Sequence, residues 1–414
     1  MSHSHTASGD NSPEPAVSLR ARRTLAIAVI PLVLATVIGL VLLWPRGTTP
    51  DLATGLELPA DLVDGTITNT DEAPCPGIVE EDGPQCVVAS VRLTTGSDAG
   101  QIIFLDVTPG PATPAFAPGD KIVLGHVTDL PPGAPEGSEY YFADFQRDSG
   151  LLVLALLFAG AVVLLGRWRG LRALAALAVS LGVLMLFVLP AILQGRSPVA
   201  VAIVGSSVIM IVALYLSHGT NVRTTTALLG TLVSLALTGL LAFIFVGATE
   251  LSGLASEEAV YLQVSADSIN LQGLILAGII IGSLGVLDDV TVTQASAVWE
   301  LRKANPAWGF MQLYRPALRI GRDHIASTVN TLVLAYAGAS LPLLILFTQA
   351  RRPLVEVAAG EVVATEIVRT LVGSIGLVAS VPVTTALTAA AVAGLPVWRR
   401  GGPNRSGNAK PLPM

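Results

Sequence analysis

The chain has 414 residues, of which 52% are hydrophobic and only 13% charged; 30 acidic side chains against 24 basic ones give a formal net charge of −6. Soluble domains carry nearer a quarter charged residues, so a single water-soluble globule is excluded and a chain threaded repeatedly through lipid is indicated. The acidic balance speaks against a nucleic-acid partner.

Residues 1–23 open the chain as a polar tail rich in Ser, Pro and His, ending in Arg20, Arg22 and Arg23. Its composition predicts disorder, and His3 and His5 read as part of a mobile tail rather than a metal site. Residues 24–43 then run apolar for the length a membrane helix needs. They end in Leu42-Leu43-Trp44-Pro45 without a small-x-small cleavage pattern, so the segment reads as an uncleaved anchor rather than a signal peptide.

Residues 46–148 form the only sizeable polar region. Period-two alternation and Gly/Pro turns predict strands at Asp64–Thr70, Cys86–Thr95, Gln101–Val107, Lys121–Val127 and Glu139–Phe145,. About five short strands imply a small β-barrel-like domain, with an OB-like barrel the expected form. The two cysteines, Cys75 and Cys86, flank a turn-rich stretch in this region. In an oxidising compartment a disulfide would close that loop, and a pair of thiols is the alternative.

From residue 150 to 394 the sequence predicts a seven-span core, at 150–166, 173–193, 198–216, 225–247, 271–287, 325–347 and 371–394,. With the anchor, this gives a mainly α, polytopic bundle of about eight spans. The flanking arginines, among them Arg167, Arg169, Arg172, Arg223, Arg302, Arg399 and Arg400, gather on one side if both termini lie in the cytoplasm,. The β-rich region is then extracytoplasmic, and residues 395–414 are a cytoplasmic tail. Arginine far outnumbers lysine, which suggests a bacterial genome of high GC content and hence a bacterial inner-membrane protein. Residues 350–370 alternate apolar and acidic side chains and read as a helix lying on the membrane surface.

The stretch from Gly285 to Lys303, GVLDDVTVTQASAVWELRK, places two adjacent acids at the end of an apolar run. Three readings compete. The acids cap a new helix at the water interface. Alternatively the helix continues unbroken to Lys303, roughly 50 Å at 1.5 Å per residue, and sets Asp289, Thr293, Ser296, Glu300 and Lys303 on one stripe that lines a watery path. Acids there make a proton or cation site, because ionisable groups near the membrane interior are costly without a role. The third reading, an intramembrane aspartyl protease, needs a second acid on another helix, and the sequence does not supply one. Asp288, Asp289 and Glu300 are therefore the candidate ion or proton site, with Asn330 the polar group entering the following span.

Arg315, Arg319 and Arg322 recur on one helical face and are candidate contacts for anionic lipid headgroups, or simple positive-inside anchors. Small residues at helical spacing fall at Gly278 and Gly282, at Thr231, Ser234 and Thr238, and at Gly376, Ser380, Thr384 and Thr388. Such rows let helices approach closely. No nucleotide-binding loop, zinc-protease motif or nucleophile elbow occurs,, so no enzyme activity, cofactor or metal is expected.

GVLDDVTVTQASAVWEL, GRDHIASTVNTLVLAYAGASLP and EIVRTLVGSIGLVASVPVTTALTA resemble the YibE/F-like family of bacterial multi-pass membrane proteins, and Asp144–Leu174 fits that family's entry into the core. The resemblance extends over about 140 to 395. It implies a permease. The family-like motif carries one Asp where this chain has Asp288 and Asp289, and no catalytic residues carry over. The reading is a permease for a small solute or ion, coupled to protons. Its partners are the lipid bilayer, the unidentified solute and a second copy in a homo-oligomer. The rival is a non-transporting scaffold whose outer β-domain binds a partner or an envelope component.

Overall fold

The computed structural model describes residues 18–47, 61–74, 85–107, 114–127, 139–265, 269–349 and 353–393. Two compact units divide the chain, residues 51–167 and the remainder.

The first unit holds one antiparallel sheet of five strands: β1 (Asp61–Pro74), β2 (Gln85–Leu93), β3 (Ile102–Val107), β4 (Lys121–His126) and β5 (Tyr140–Phe145). Their order in the sheet is β3-β2-β1-β4-β5. All five fall where alternation predicted them. Inward positions bury Val63, Ile67, Val91, Leu93, Ile122 and Leu124, each worth about 1.5–3 kcal/mol of transfer free energy. β1 lies at the centre because Gly65 lets Val91 and Leu124 close over its backbone, where a Cβ would collide with Val91. Between Ile67 and Asn69 the register slips by one residue. This bulge bends the sheet into a curled half-barrel. β3 and β5 approach each other, but no ladder joins them among the described strands, so the barrel-like sheet expected from sequence is present and open at this seam.

Helix α2 (Asp148–Gly166) follows β5 within this unit and buries no side chain. It is apolar all round, as a helix solvated by lipid must be.

The second unit is a helical bundle. α1 (Leu19–Leu43) is capped by Ser18. α3 (Trp168–Val183) passes through a π-helical turn (Leu184–Val188) into α4 (Leu189–Leu193). α5 (Pro198–His218) and α6 (Val222–Ala248) start at side-chain caps from Ser197 and Asn221. After the short α7 (Glu257–Ser265) come α8 (Leu271–Ala304), α9 (Phe310–Ala339), α10 (Leu341–Gln349), α11 (Leu354–Ala359) and α12 (Glu361–Ala393). Seven helices are long and apolar enough to cross a membrane, or eight with the bent pair α9–α10. The protein is therefore an integral membrane protein with a mainly α core.

Three departures from the sequence reading have physical causes. The sixth span does not stop at residue 287 but runs on to Ala304 as one helix of 34 residues. The seventh is bent by 65° between α9 and α10: Pro342 has no N–H to give the carbonyl of Gly338, so the helix cannot continue straight. The expected surface helix at 350–370 is instead α11 followed by the first turns of α12. Glu361 holds that junction by accepting from the backbone N–H groups of Ser252 (2.6 Å) and Gly253 (2.7 Å). Gly253 is required there: its φ is +86°, and a Cβ would strike the backbone of Leu271.

α6, α8 and α12 form the centre, with α5 and α9 against them. Lipid tails are as apolar as Leu, so close packing and hydrogen bonds rather than hydrophobic transfer hold such helices together. Gly230 seats Thr384 and Gly376 seats Thr238, both too close to admit a methyl group.

Candidate functional site

α8 carries the site. Asp288 and Asp289 lie at the midpoint of this unbroken helix, so they cap nothing; the helix was already formed at Asn270, whose side chain accepts from the N–H of Gly273 at 2.7 Å. Two turns of packing fix their depth. Thr291 meets Thr231 of α6 at 2.6 Å, about 13 Å along α6 from its first residue at 1.5 Å per residue. The acids are thus well inside the bundle's apolar zone.

The two carboxylates face different surroundings. Asp289 is exposed, while Asp288 is half-buried and its Oδ1 finds no hydrogen bond among the described residues. Asp289 belongs to a stripe in which Thr293 and Glu300 are also exposed and Ser296 and Lys303 half-exposed. The opposite faces bury Ala295, Val298 and Trp299. Glu300 does not join the acids: it pairs with Lys303 at 3.4 Å. Towards the Leu271 end the same stripe continues through Gly285 and Gly282, both exposed, and half-buried Gly278.

Those glycines lead to a charged cluster that the sequence reading missed. A Cβ at Gly282 would stand 3.3 Å from the Tyr336 hydroxyl of α9, and one at Gly278 would stand 3.9 Å from Nη2 of Arg369 in α12. Arg369 pairs with Glu366 at 3.5 Å, and its Nε is buried without a hydrogen bond among the described residues. Glu366 lines two cavities. One, of about 270 Å³, also takes in Tyr336, Ser340 and Thr370. The other, of about 240 Å³, takes in Ser256, Thr365 and Arg369. Glu366 was expected on a surface helix, and only the extension of α12 to Glu361 brings it and Arg369 against α8. The glycine pair was the one sequence signal pointing there.

Behind the stripe the helices are tied by buried polar groups. The Gln294 amide donates to the carbonyl of Ala317 in α9 (2.6 Å) and to the hydroxyl of Thr385 in α12 (2.8 Å). Thr388 donates to Thr226 at 3.0 Å. The threonine rows of α6 and α12 were legible as small-residue stripes; Gln294 was not singled out, because one glutamine in a span has no periodicity.

The remaining candidates lie apart. Asn330 is exposed on α9, and its side chain makes no hydrogen bond among the described residues. Arg315, Arg319 and Arg322 are exposed along α9, before the apolar run that begins at Ile325. Cys86 is buried in β2, and Cys75 lies outside the described residues. Among the described residues no group of three His, Cys, Asp or Glu side chains is placed to hold a metal ion.

A family model described as YibE/F-like protein matches residues 154–394, which takes in α3 to α12 and every residue of the stripe. No curated protein and no solved structure matches the chain.

Proposed function

Since the chain belongs to the YibE/F-like protein family, we propose that its helical core is a permease for a small solute or ion, coupled to protons through Asp288 and Asp289. One observation carries the reading: a carboxylate pair sits at the midpoint of a continuous 34-residue helix, on a stripe of Gly and polar side chains that no lipid tail can satisfy. In this reading the stripe is the wall of a path. Glu366, Arg369 and Tyr336 stand at its outer mouth and Thr293 and Ser296 line its inner half. Both chain ends are cytoplasmic, the β unit faces outward, and the membrane is a bacterial inner membrane.

The chemistry follows from the two settings. Asp289, on the open stripe, exchanges protons with the path. Asp288 keeps one oxygen buried and without a hydrogen bond among the described residues, so the pair offers one open and one sheltered carboxyl at the same level of the path. Binding a cation beside Asp289 and binding a proton on it are then alternative ways of neutralising one carboxylate, so the cation enters as the proton leaves, which is the exchange a coupled carrier needs.

The test is flux in proteoliposomes loaded with a pH-sensitive dye. A panel of inorganic cations and small organic solutes is supplied outside, and proton movement is followed for wild type, Asp289→Asn and Asp288→Asn. The expected result is a solute-dependent pH change that falls at least tenfold in Asp289→Asn. If neither substitution alters any flux, the acids are structural and the reading fails.

A further inference from the structure

A separate cavity lies away from the α8 stripe. It measures about 480 Å³ and sits between α1, the α5–α6 turn and α8. Ligand sites fall in the range of roughly 300–1,000 Å³. From α8 it is lined by Trp299, which is on that helix's buried face.

Its walls change character along α1. At one end stand Arg22 and, across from it, Thr220, Asn221, Thr225 and Tyr215. Leu25, Val29 and Ile30 then continue the α1 wall in the direction of the apolar span, reaching about 12 Å from Arg22 at 1.5 Å per residue. Among the described residues no acid lines the cavity and Arg22 forms no ion pair. The polar groups opposite are already rigid. The Asn221 side chain accepts from the Thr224 N–H at 2.8 Å and donates to the His218 carbonyl at 2.9 Å, and Tyr215 and Thr225 share a hydrogen bond of 3.3 Å. α1 itself buries no residue, so the gap is not a packing flaw that the helix could close without leaving polar groups behind.

We propose that this cavity binds one phospholipid of net negative charge, its phosphate on Arg22 and the hydroxyl of Thr220, its acyl chain along Leu25, Val29 and Ile30. One cation without an acidic neighbour favours a net anionic headgroup over a zwitterionic one. The apolar half favours a lipid over free phosphate, because an inorganic ion would leave that half unfilled. The site is distinct from Arg315, Arg319 and Arg322 on α9.

The test uses the full chain reconstituted in nanodiscs of mixed phosphatidylglycerol and phosphatidylethanolamine, extracted gently and weighed by native mass spectrometry. Wild type is expected to keep one phosphatidylglycerol, and inorganic phosphate at millimolar concentration is expected not to displace it. Arg22→Gln, with Arg20 and Arg23 left to hold the topology, is expected to lower retention about tenfold. Ala26→Trp, which fills the cavity without touching a charge, is expected to lower it as far. Arg196→Gln, an exposed arginine outside the cavity, is expected to leave it unchanged. Retention as high as wild type in Arg22→Gln or in Ala26→Trp, indifference to headgroup, or displacement by phosphate would each overturn the proposal. Flux through the α8 stripe is not an input to this experiment, so its outcome is independent of the transport reading.

Discussion

Gly376 and Tyr140 show how single side chains hold each unit together. At Gly376 the hydroxyl of Thr238 occupies the space a Cβ would need. Gly376→Ala forces two tightly packed helices apart, and overpacking of this kind costs about 1–3 kcal/mol. The expected outcome is a clear fall in the thermal transition of the detergent-solubilised protein, and recovery of part of it when Thr238→Ala is added. No recovery would mean that the glycine acts through something other than this contact. Tyr140 donates to Asp98 at 2.8 Å, and burial, with the Asp98 carboxylate adding to it, pushes its hydroxyl up to about 12. A folded-state value above the ordinary 10 favours the neutral phenol. Its contribution to stability is therefore complete below about pH 10 and disappears as pH rises through 12. The difference in tyrosinate absorbance between wild type and Tyr140→Phe should titrate with a midpoint near pH 12, and a midpoint near 10 would contradict the assignment.

At the scale of elements, α8 determines the most and was read least completely. Its period was visible in the sequence: the spacing of Asp289, Thr293, Ser296, Glu300 and Lys303 described the stripe that the structure exposes. Its length was not decidable, because a helix that leaves the apolar zone while still packed against neighbours shows the same composition as a loop with an amphipathic helix after it. Gln294 explains the difference. It anchors the segment beyond the acids to both α9 and α12, and tertiary bonds of that kind leave no local pattern. Gln294→Leu should therefore loosen α9 in particular. It removes the side-chain donor that the Ala317 carbonyl has in addition to its helical partner, a loss of about 0.5–1.5 kcal/mol for one net hydrogen bond. Amide hydrogen exchange should rise along α9 more than along α5 or α6; a uniform rise, or none, would count against the tie. The β strands were legible for the opposite reason. Their alternation is local, and only the degree of closure, set by a bulge and by contacts between distant strands, escaped it.

At the scale of the whole molecule, the disposition of charge carries the argument for direction. Arg20, Arg22 and Arg23 lie in the first two turns of α1, and Arg315, Arg319 and Arg322 in the first half of α9. In the proposed topology one crossing separates the β unit from the start of α1, which would put these basic clusters and the sheet on opposite sides of the membrane. Basic residues are retained on the cytoplasmic face because their translocation is disfavoured, and Asp98, Asp120 and the other acids of the β unit carry no such restriction. An epitope inserted at Ser97, in the turn between β2 and β3, should bind antibody on intact spheroplasts, while one at the Trp308 turn between α8 and α9 should bind only after permeabilisation. The proposed path depends on this result in a specific way. With the β unit outside, Glu366 and Arg369 meet the incoming solute and Asp289 lies beyond them at mid-depth. A reversed orientation would put the same cluster at the cytoplasmic mouth, and in the proposed reading an imposed proton gradient would then load Asp289 from the opposite end of the stripe.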